Sequence, residues 1–126
     1  MNRQKTVLMV EDHAISRRLL YHSLKHEYRV LEAADAQSAM DMLTRDRVDL
    51  VILDLHLPPE PESPREGLRL QRWMHEAFAA VPVVVVSANG DPAVREELAR
   101  RGVRDFLGKP IDVAALAQSL KEALME

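Results

Sequence analysis

A chain of 126 residues with 47% hydrophobic residues suits one compact domain with its own core and excludes a disordered polymer. A net charge of −3 without a basic stripe argues against nucleic-acid binding, and no apolar run nears the roughly 20 residues a membrane helix needs. Cysteine is absent, so disulfides, thiolate metal sites and cysteine nucleophiles are excluded; with no signal-peptide pattern at the N-terminus, the expected location is the cytoplasm.

Short apolar runs alternate with stretches of helical spacing. The first run, Thr6 to Val10, leads into Glu11 and Asp12, and Ile15, Leu19, Leu20 and Leu24 predict a first helix with a loose apolar stripe. A second run covers Tyr28 to Leu31. Asp35 reads as the N-cap of a second helix carrying Ala36, Ala39, Met40 and Leu43 at i, i+3, i+4 and i+7. The third run, Leu50 to Leu53, leads into Asp54. Residues 58–66, PPEPESPRE, hold four prolines and three glutamates and predict a stiff, exposed, polyproline-like loop inserted at the surface. Leu70, Trp73, Met74 and Ala77 predict a third helix. The fourth run, Val83 to Val86, leads into Ser87. Asp91 and Pro92 read as the N-cap and first position of a fourth helix, and Gly102 as its stop. The fifth run, Val103 to Leu107, precedes Lys109 and Pro110. Asp112 then caps a last helix with the stripe Val113, Leu116, Ala117, Leu120 and Leu124.

Runs such as VVVV and LVIL are continuous, as expected of strands covered on both faces. The pattern predicts an α/β fold: five βα units wound on both faces of a five-stranded parallel sheet, with right-handed crossovers. In such sheets ligands bind beyond the carboxyl ends of the strands. If the runs are parallel neighbours, the carboxylates of Glu11, Asp12 and Asp54, the Ser87 hydroxyl and the Lys109 ammonium meet in one pocket. That is a cation site beside an anion site, with a nucleophile between them.

The segments VLMVEDH, VDLVILDLHLP, VPVVVVSA and DFLGKPID, in this order over Thr6 to about Met125, resemble the receiver (CheY-like) domain of two-component response regulators. LPPEPES followed by EGL also resembles receivers of NtrC-type transcription activators. The resemblance implies a flavodoxin-like strand order, 2-1-3-4-5, and a single receiver domain over residues 1–126. It implies that Asp54 accepts a phosphoryl group, assisted by Lys109 and Ser87. It further implies a Mg²⁺ ion held by the carboxylates of Glu11, Asp12 and Asp54 and the His56 carbonyl. Pro110 would follow a cis bond that directs Lys109 into the pocket. Ser87 and Phe106 would be the switch pair, and His56 and Asn89 would tune the lifetime of the phosphoryl group. Phosphoryl donors would be a histidine kinase or a histidine phosphotransfer protein, docking beside the first helix at Ile15, Arg18, Leu19 and His22. The output face would be the fourth helix, fifth strand and fifth helix, where Arg95, Arg100, Arg101, Arg104 and Lys121 could support a homodimer.

The residue chemistry stands beside that resemblance. A carboxylate can attack phosphorus and hold the group as an acyl phosphate. Phosphoryl transfer is catalysed mainly by positioning and charge neutralisation, which a hard dication and a lysine point charge supply. Taken singly, each residue has an ordinary reading: a capping acid, an exposed lysine, a buried serine, a core phenylalanine. Other functions stay open. An aspartyl-phosphate phosphatase shares the chemistry but places a second acid two residues after the nucleophile, where this chain has His56. A receiver that binds partners without phosphorylation would be expected to lack an acid or the lysine. A transition-metal site using His13 and His56 is a further alternative. The expectation is a signalling domain rather than an enzyme, either standing alone or cut from a longer regulator.

Overall fold

The computed structural model describes residues 3–88 and 90–125. The elements are β1 Thr6–Val10, α1 Ala14–Leu24, β2 Arg29–Ala33, α2 Ala36–Arg45, β3 Leu50–Leu53, α3 Arg65–Ala77, β4 Val83–Ser87, α4 Pro92–Arg100, β5 Asp105–Gly108 and α5 Val113–Leu124. The strands pair in parallel in the order β2-β1-β3-β4-β5, which is the expected doubly wound α/β fold.

Strand residues alternate between two cores. Val7, Met9, Leu50, Ile52, Val84 and Val86 pack against Leu20 and Leu24 of α1 and Leu116 and Leu120 of α5. Their neighbours Leu8, Val10, Val51, Leu53, Val83 and Val85 pack against α2, Leu70 and Met74 of α3, and Leu98 of α4. Successive strand side chains point to opposite faces, so a strand covered on both must be apolar throughout. Every residue of β1, β3 and β4 is buried, whereas the edge strands β2 and β5 are partly exposed.

The helix starts follow the acidic caps. Asp35, Asp91 and Asp112 accept from the N–H groups of Ser38, Ala93 and Ala115, contacts typically worth about 0.5–2 kcal/mol each. Gly102, with φ of 79°, ends α4 in the left-handed region that glycine tolerates. His13 caps α1, its Nδ1 accepting from Ser16 N at 3.3 Å. An imidazole cap has no strong sequence signal.

Four expectations are corrected. The second strand starts at Arg29, because the Tyr28 N–H still bonds the Leu24 carbonyl at 3.0 Å. The fifth starts at Asp105, because the Val103 N–H closes the end of α4 on the Leu98 carbonyl. Ile15 and Leu19 do not join the core; they are 69% and 66% exposed. The proline-rich stretch is not polyproline-like. It folds into turns, with Ser63 N donating to the Glu60 carbonyl at 3.0 Å, and its last two residues belong to α3.

Gly67 lets α3 approach the chain after β3. Its N–H donates to the Leu55 carbonyl at 3.1 Å, and a Cβ there would lie 2.7 Å from the Leu55 carbonyl carbon. Backbone cannot yield as a side chain can. We expect Gly67→Ala to lower unfolding free energy by about 1–3 kcal/mol in urea titration, the usual range for overpacking. Gly108→Ala, whose Cβ would meet nothing within 4 Å, is expected to stay much nearer wild type.

Asp49 ties the start of β1 to the turn before β3. Its carboxylate accepts from Thr6 N at 2.8 Å and from the Arg3 guanidinium at 2.8 Å. Burial alone would raise its pKa, but these donors outweigh burial and hold it below the ordinary 3.8. A depressed pKa means that the folded state prefers the charged form, so this stabilisation is present above 3.8 and lost as pH falls through the folded value. Asp49→Asn is therefore expected to cost about 1–2 kcal/mol at neutral pH. The gap between wild-type and variant stability should shrink in unfolding curves recorded below pH 3.8.

Candidate functional site

The residues just beyond the carboxyl ends of the strands are still stitched to the sheet. Glu11 N donates to the Ala33 carbonyl at 3.0 Å, Asp54 N to Val10 at 3.0 Å, and Lys109 N to Ser87 at 3.2 Å. Each strand ladder thus runs one step further and fixes where a polar side chain leaves the sheet. The result is one pocket at the edge where β1, β3, β4 and β5 end.

Lys109 Nζ lies at the centre of the charge pattern. It donates to Asp54 Oδ2 at 2.7 Å and to Glu11 Oε1 at 2.8 Å. The remaining carboxylate oxygens of both acids are engaged by backbone: His56 N donates to Asp54 Oδ1 at 2.9 Å, and His13 N to Glu11 Oε2 at 3.1 Å. Glu11 and Asp54 are buried, while Asp12 is half-buried. One oxygen from each of Glu11, Asp12 and Asp54 falls within a group no wider than 4.8 Å. Three hard oxygen donors so close together suit a small divalent cation such as Mg²⁺. Among the described residues this is the one such group, and it contains no histidine.

Burial pushes the Glu11 carboxyl above the usual 4.5 and the nearby Asp54 charge adds to that, while the Lys109 hydrogen bond opposes it. Lys109 moves up from 10.5: burial pulls it down, but hydrogen bonds to Asp54 and Glu11 outweigh burial. For Glu11 we take burial as dominant, since its side chain is 4% exposed against 25% for the lysine.

The other expected residues are placed as follows. Ser87 is buried at the end of β4, in register with Gly108 of β5. The Lys109–Pro110 peptide bond is cis. Phe106 is half-buried, and the Arg95 guanidinium sits 4.7 Å from its ring centroid. Asn89 lies outside the described residues. His56 does not present a free ring edge to solvent. Its Nδ1 is 2.9 Å from the Pro61 carbonyl, so Nδ1 carries the proton, and Nε2 is buried without a hydrogen-bond partner. His13 is taken up in capping α1. A histidine-based transition-metal site is therefore not assembled.

The sequence reasoning passed over Arg17. Its Nη1 donates to the Glu11 carbonyl at 2.8 Å and lies 3.4 Å from the Asp12 carbonyl, and its Nε donates to Glu32 at 3.2 Å. An arginine on a half-exposed helix carries no signal by itself.

Removing the lysine head should expose what it holds. We expect Lys109→Met to cost about 1–3 kcal/mol in metal-free buffer, because two buried carboxylates lose their shared cation. Chemical denaturation in the presence of a chelator measures this.

Comparison with known proteins converges on one family. The family described as response regulator receiver domain matches residues 7–121. The chain is 31% identical over 120 residues to the sensor histidine kinase RcsC of Salmonella typhi, covering 94% of this chain but 12% of the kinase. It is 31% identical over 119 residues to the transcriptional regulatory protein GlrR of Escherichia coli, covering 94% of this chain and 26% of the regulator. Among solved structures, the receiver domain of NtrX from Brucella abortus superposes with a TM-score of 0.83 at 30% identity, covering 94% of this chain and 97% of that one. The chain thus spans only a small part of the length of these first two relatives.

Proposed function

This chain belongs to the response regulator receiver domain family, and on that footing we propose that residues 1–126 form one receiver in which Asp54 is the phosphoacceptor of a two-component phosphorelay. The observation that carries the reading is Lys109 Nζ, 2.7 Å from Asp54 Oδ2 and 2.8 Å from Glu11 Oε1, beside the three-carboxylate group.

In this reading an Asp54 oxygen attacks the phosphorus of a phosphohistidine. The new O–P bond forms as the P–N bond breaks, and the imidazole leaves with its electron pair. Lys109 exchanges its hydrogen bond with Asp54 for one with a phosphoryl oxygen. The Ser87 hydroxyl donates to another. Glu11, Asp12, Asp54 and the His56 carbonyl would hold Mg²⁺, which supplies charge neutralisation to the anionic group. Catalysis here means the domain's own phosphorylation and dephosphorylation.

The output would follow from movement at Ser87 and Phe106. Ser87 moves toward the phosphoryl group, and Phe106 turns inward from beneath Arg95. That remodels the face of α4, β5 and α5, where Arg100, Arg104 and Lys121 are exposed, Arg100 paired with Glu96 at 3.1 Å and Arg104 with the Glu122 carbonyl at 3.2 Å, and would meet a second copy or another protein. The donor, a histidine kinase or phosphotransfer protein, would dock on α1, where Ile15 and Leu19 are exposed beside a groove that Lys109 and Pro110 also line. A phosphatase is less well supported: the residue two after Asp54 is His56, whose Nδ1 proton is committed to Pro61. No helix among the described residues is long and apolar enough to cross a membrane, in keeping with a cytoplasmic signalling role.

Incubation with Mg²⁺ and acetyl phosphate, followed by intact mass measurement, tests the acceptor. One added phosphoryl group is expected in wild type and none in Asp54→Ala. An unmodified wild type would sink the proposal and favour a receiver that works through contacts alone. Once labelled, His56→Ala should change the phosphoryl half-life several-fold with little change in melting temperature; equal half-lives would remove the tuning role.

A further inference from the structure

Glu11 and Asp12 are adjacent acids on a short loop, and both must stay within reach of Asp54. Like charges held this close repel one another. Lys109 offsets part of this through its hydrogen bonds to Glu11 and Asp54. The Glu11 N–H holds the start of the loop to the Ala33 carbonyl at 3.0 Å, and a second tie holds its carbonyl side.

We infer that Arg17 is a positioning residue for the cation site, acting on the backbone of the acidic loop; the inference rests on the receiver reading above. Its Nη1 donates to the Glu11 carbonyl at 2.8 Å and leans toward the Asp12 carbonyl at 3.4 Å. Its own N–H bonds the His13 carbonyl at 2.9 Å in the first turn of α1. From behind, Glu32 holds Nε at 3.2 Å, and Glu32 lies on β2 in register with Met9 of β1. One guanidinium therefore joins α1, β2 and the loop between β1 and α1.

The choice of acceptors matters. A guanidinium paired with a carboxylate of Glu11 or Asp12 would occupy the oxygens a metal ion needs. Arg17 takes carbonyl oxygens instead and adds no further donor to those carboxylates. Its planar fork serves acceptors in two directions from one fixed position, which a lysine ammonium on a flexible stem does poorly. Residues behind metal ligands commonly change affinity by 10–100-fold when removed.

Arg18 is a built-in control. It also reaches Glu32, at 3.4 Å, but its side chain is 55% exposed and its guanidinium lies over the Tyr21 ring, 4.9 Å from the centroid, rather than on the loop.

The test is a Mg²⁺ titration of the intact chain followed by backbone amide shifts of Asp12, His13 and His56, with melting in chelator recorded for each variant. Arg17→Met is expected to weaken Mg²⁺ binding about 10-fold or more. Arg17→Lys should recover only part of the loss, and Arg18→Met should match wild type. If Arg17→Met fails to fold, Glu32→Met, which removes the acceptor behind the guanidinium, should weaken binding several-fold; unchanged affinity there overturns the inference. Wild-type affinity in Arg17→Met with a lowered melting temperature also overturns it, leaving Arg17 a purely structural residue. Absence of Mg²⁺ binding by wild type would instead overturn the phosphoacceptor reading, and this inference with it.

Discussion

The organisation of the molecule turns on one ammonium. Lys109 stands after β5, two strands from β3, or about 10 Å across the sheet at ordinary strand spacing. Only a long side chain crosses the end of β4 to reach Asp54 and Glu11. The strand order makes the arrangement possible, because it sets β1 and β3 side by side and leaves Ser87 of β4 between them and the lysine. With all three acids ionised, Glu11, Asp12 and Asp54 against one ammonium leave a formal excess of two negative charges, the charge a divalent cation carries.

Such a pocket is costly for folding. Charges taken from water are repaid only by close partners and hydrogen bonds. The structure meets that demand with backbone: His13 N and His56 N occupy the carboxylate oxygens that Lys109 leaves over. Stability comes from the opposite end of the design, where three fully buried strands carry apolar residues to both faces. The site therefore sits on a platform of fully buried strands. Around it, Phe106 lies under Arg95 and His56 is held against Pro61.

Much of this architecture is legible in the sequence because the signals are local. Continuous Val, Ile and Leu runs mark the central strands, and Asp35, Asp91 and Asp112 mark helix starts that the structure confirms by hydrogen bonds. The clustering of Glu11, Asp12 and Asp54 follows from the rule that ligand sites lie beyond parallel strand ends. Strand order did not follow from pattern; it came with the family resemblance. What local signals miss are tertiary ties. Tyr28 is apolar enough to read as strand but closes the α1 turn. Ile15 and Leu19 fit a helical stripe, yet the sheet face is already filled by Leu20 and Leu24. Prolines 58 to 64 suggest extended chain, but His56 and Gly67 draw that segment into turns against the body. Arg17 acts through carbonyl oxygens, which no sequence pattern displays.

In the proposed reading Asp54, Lys109 and the acidic loop form one phosphoryl and cation pocket. A crystal structure grown with Mg²⁺ and beryllium fluoride tests it most directly. The account predicts beryllofluoride on the Asp54 carboxylate, Lys109 transferred from Asp54 to a fluorine, and the metal held by Glu11 or Asp12 together with Asp54. An unmodified Asp54 still paired with Lys109, or a metal bound away from the acidic loop, would contradict it.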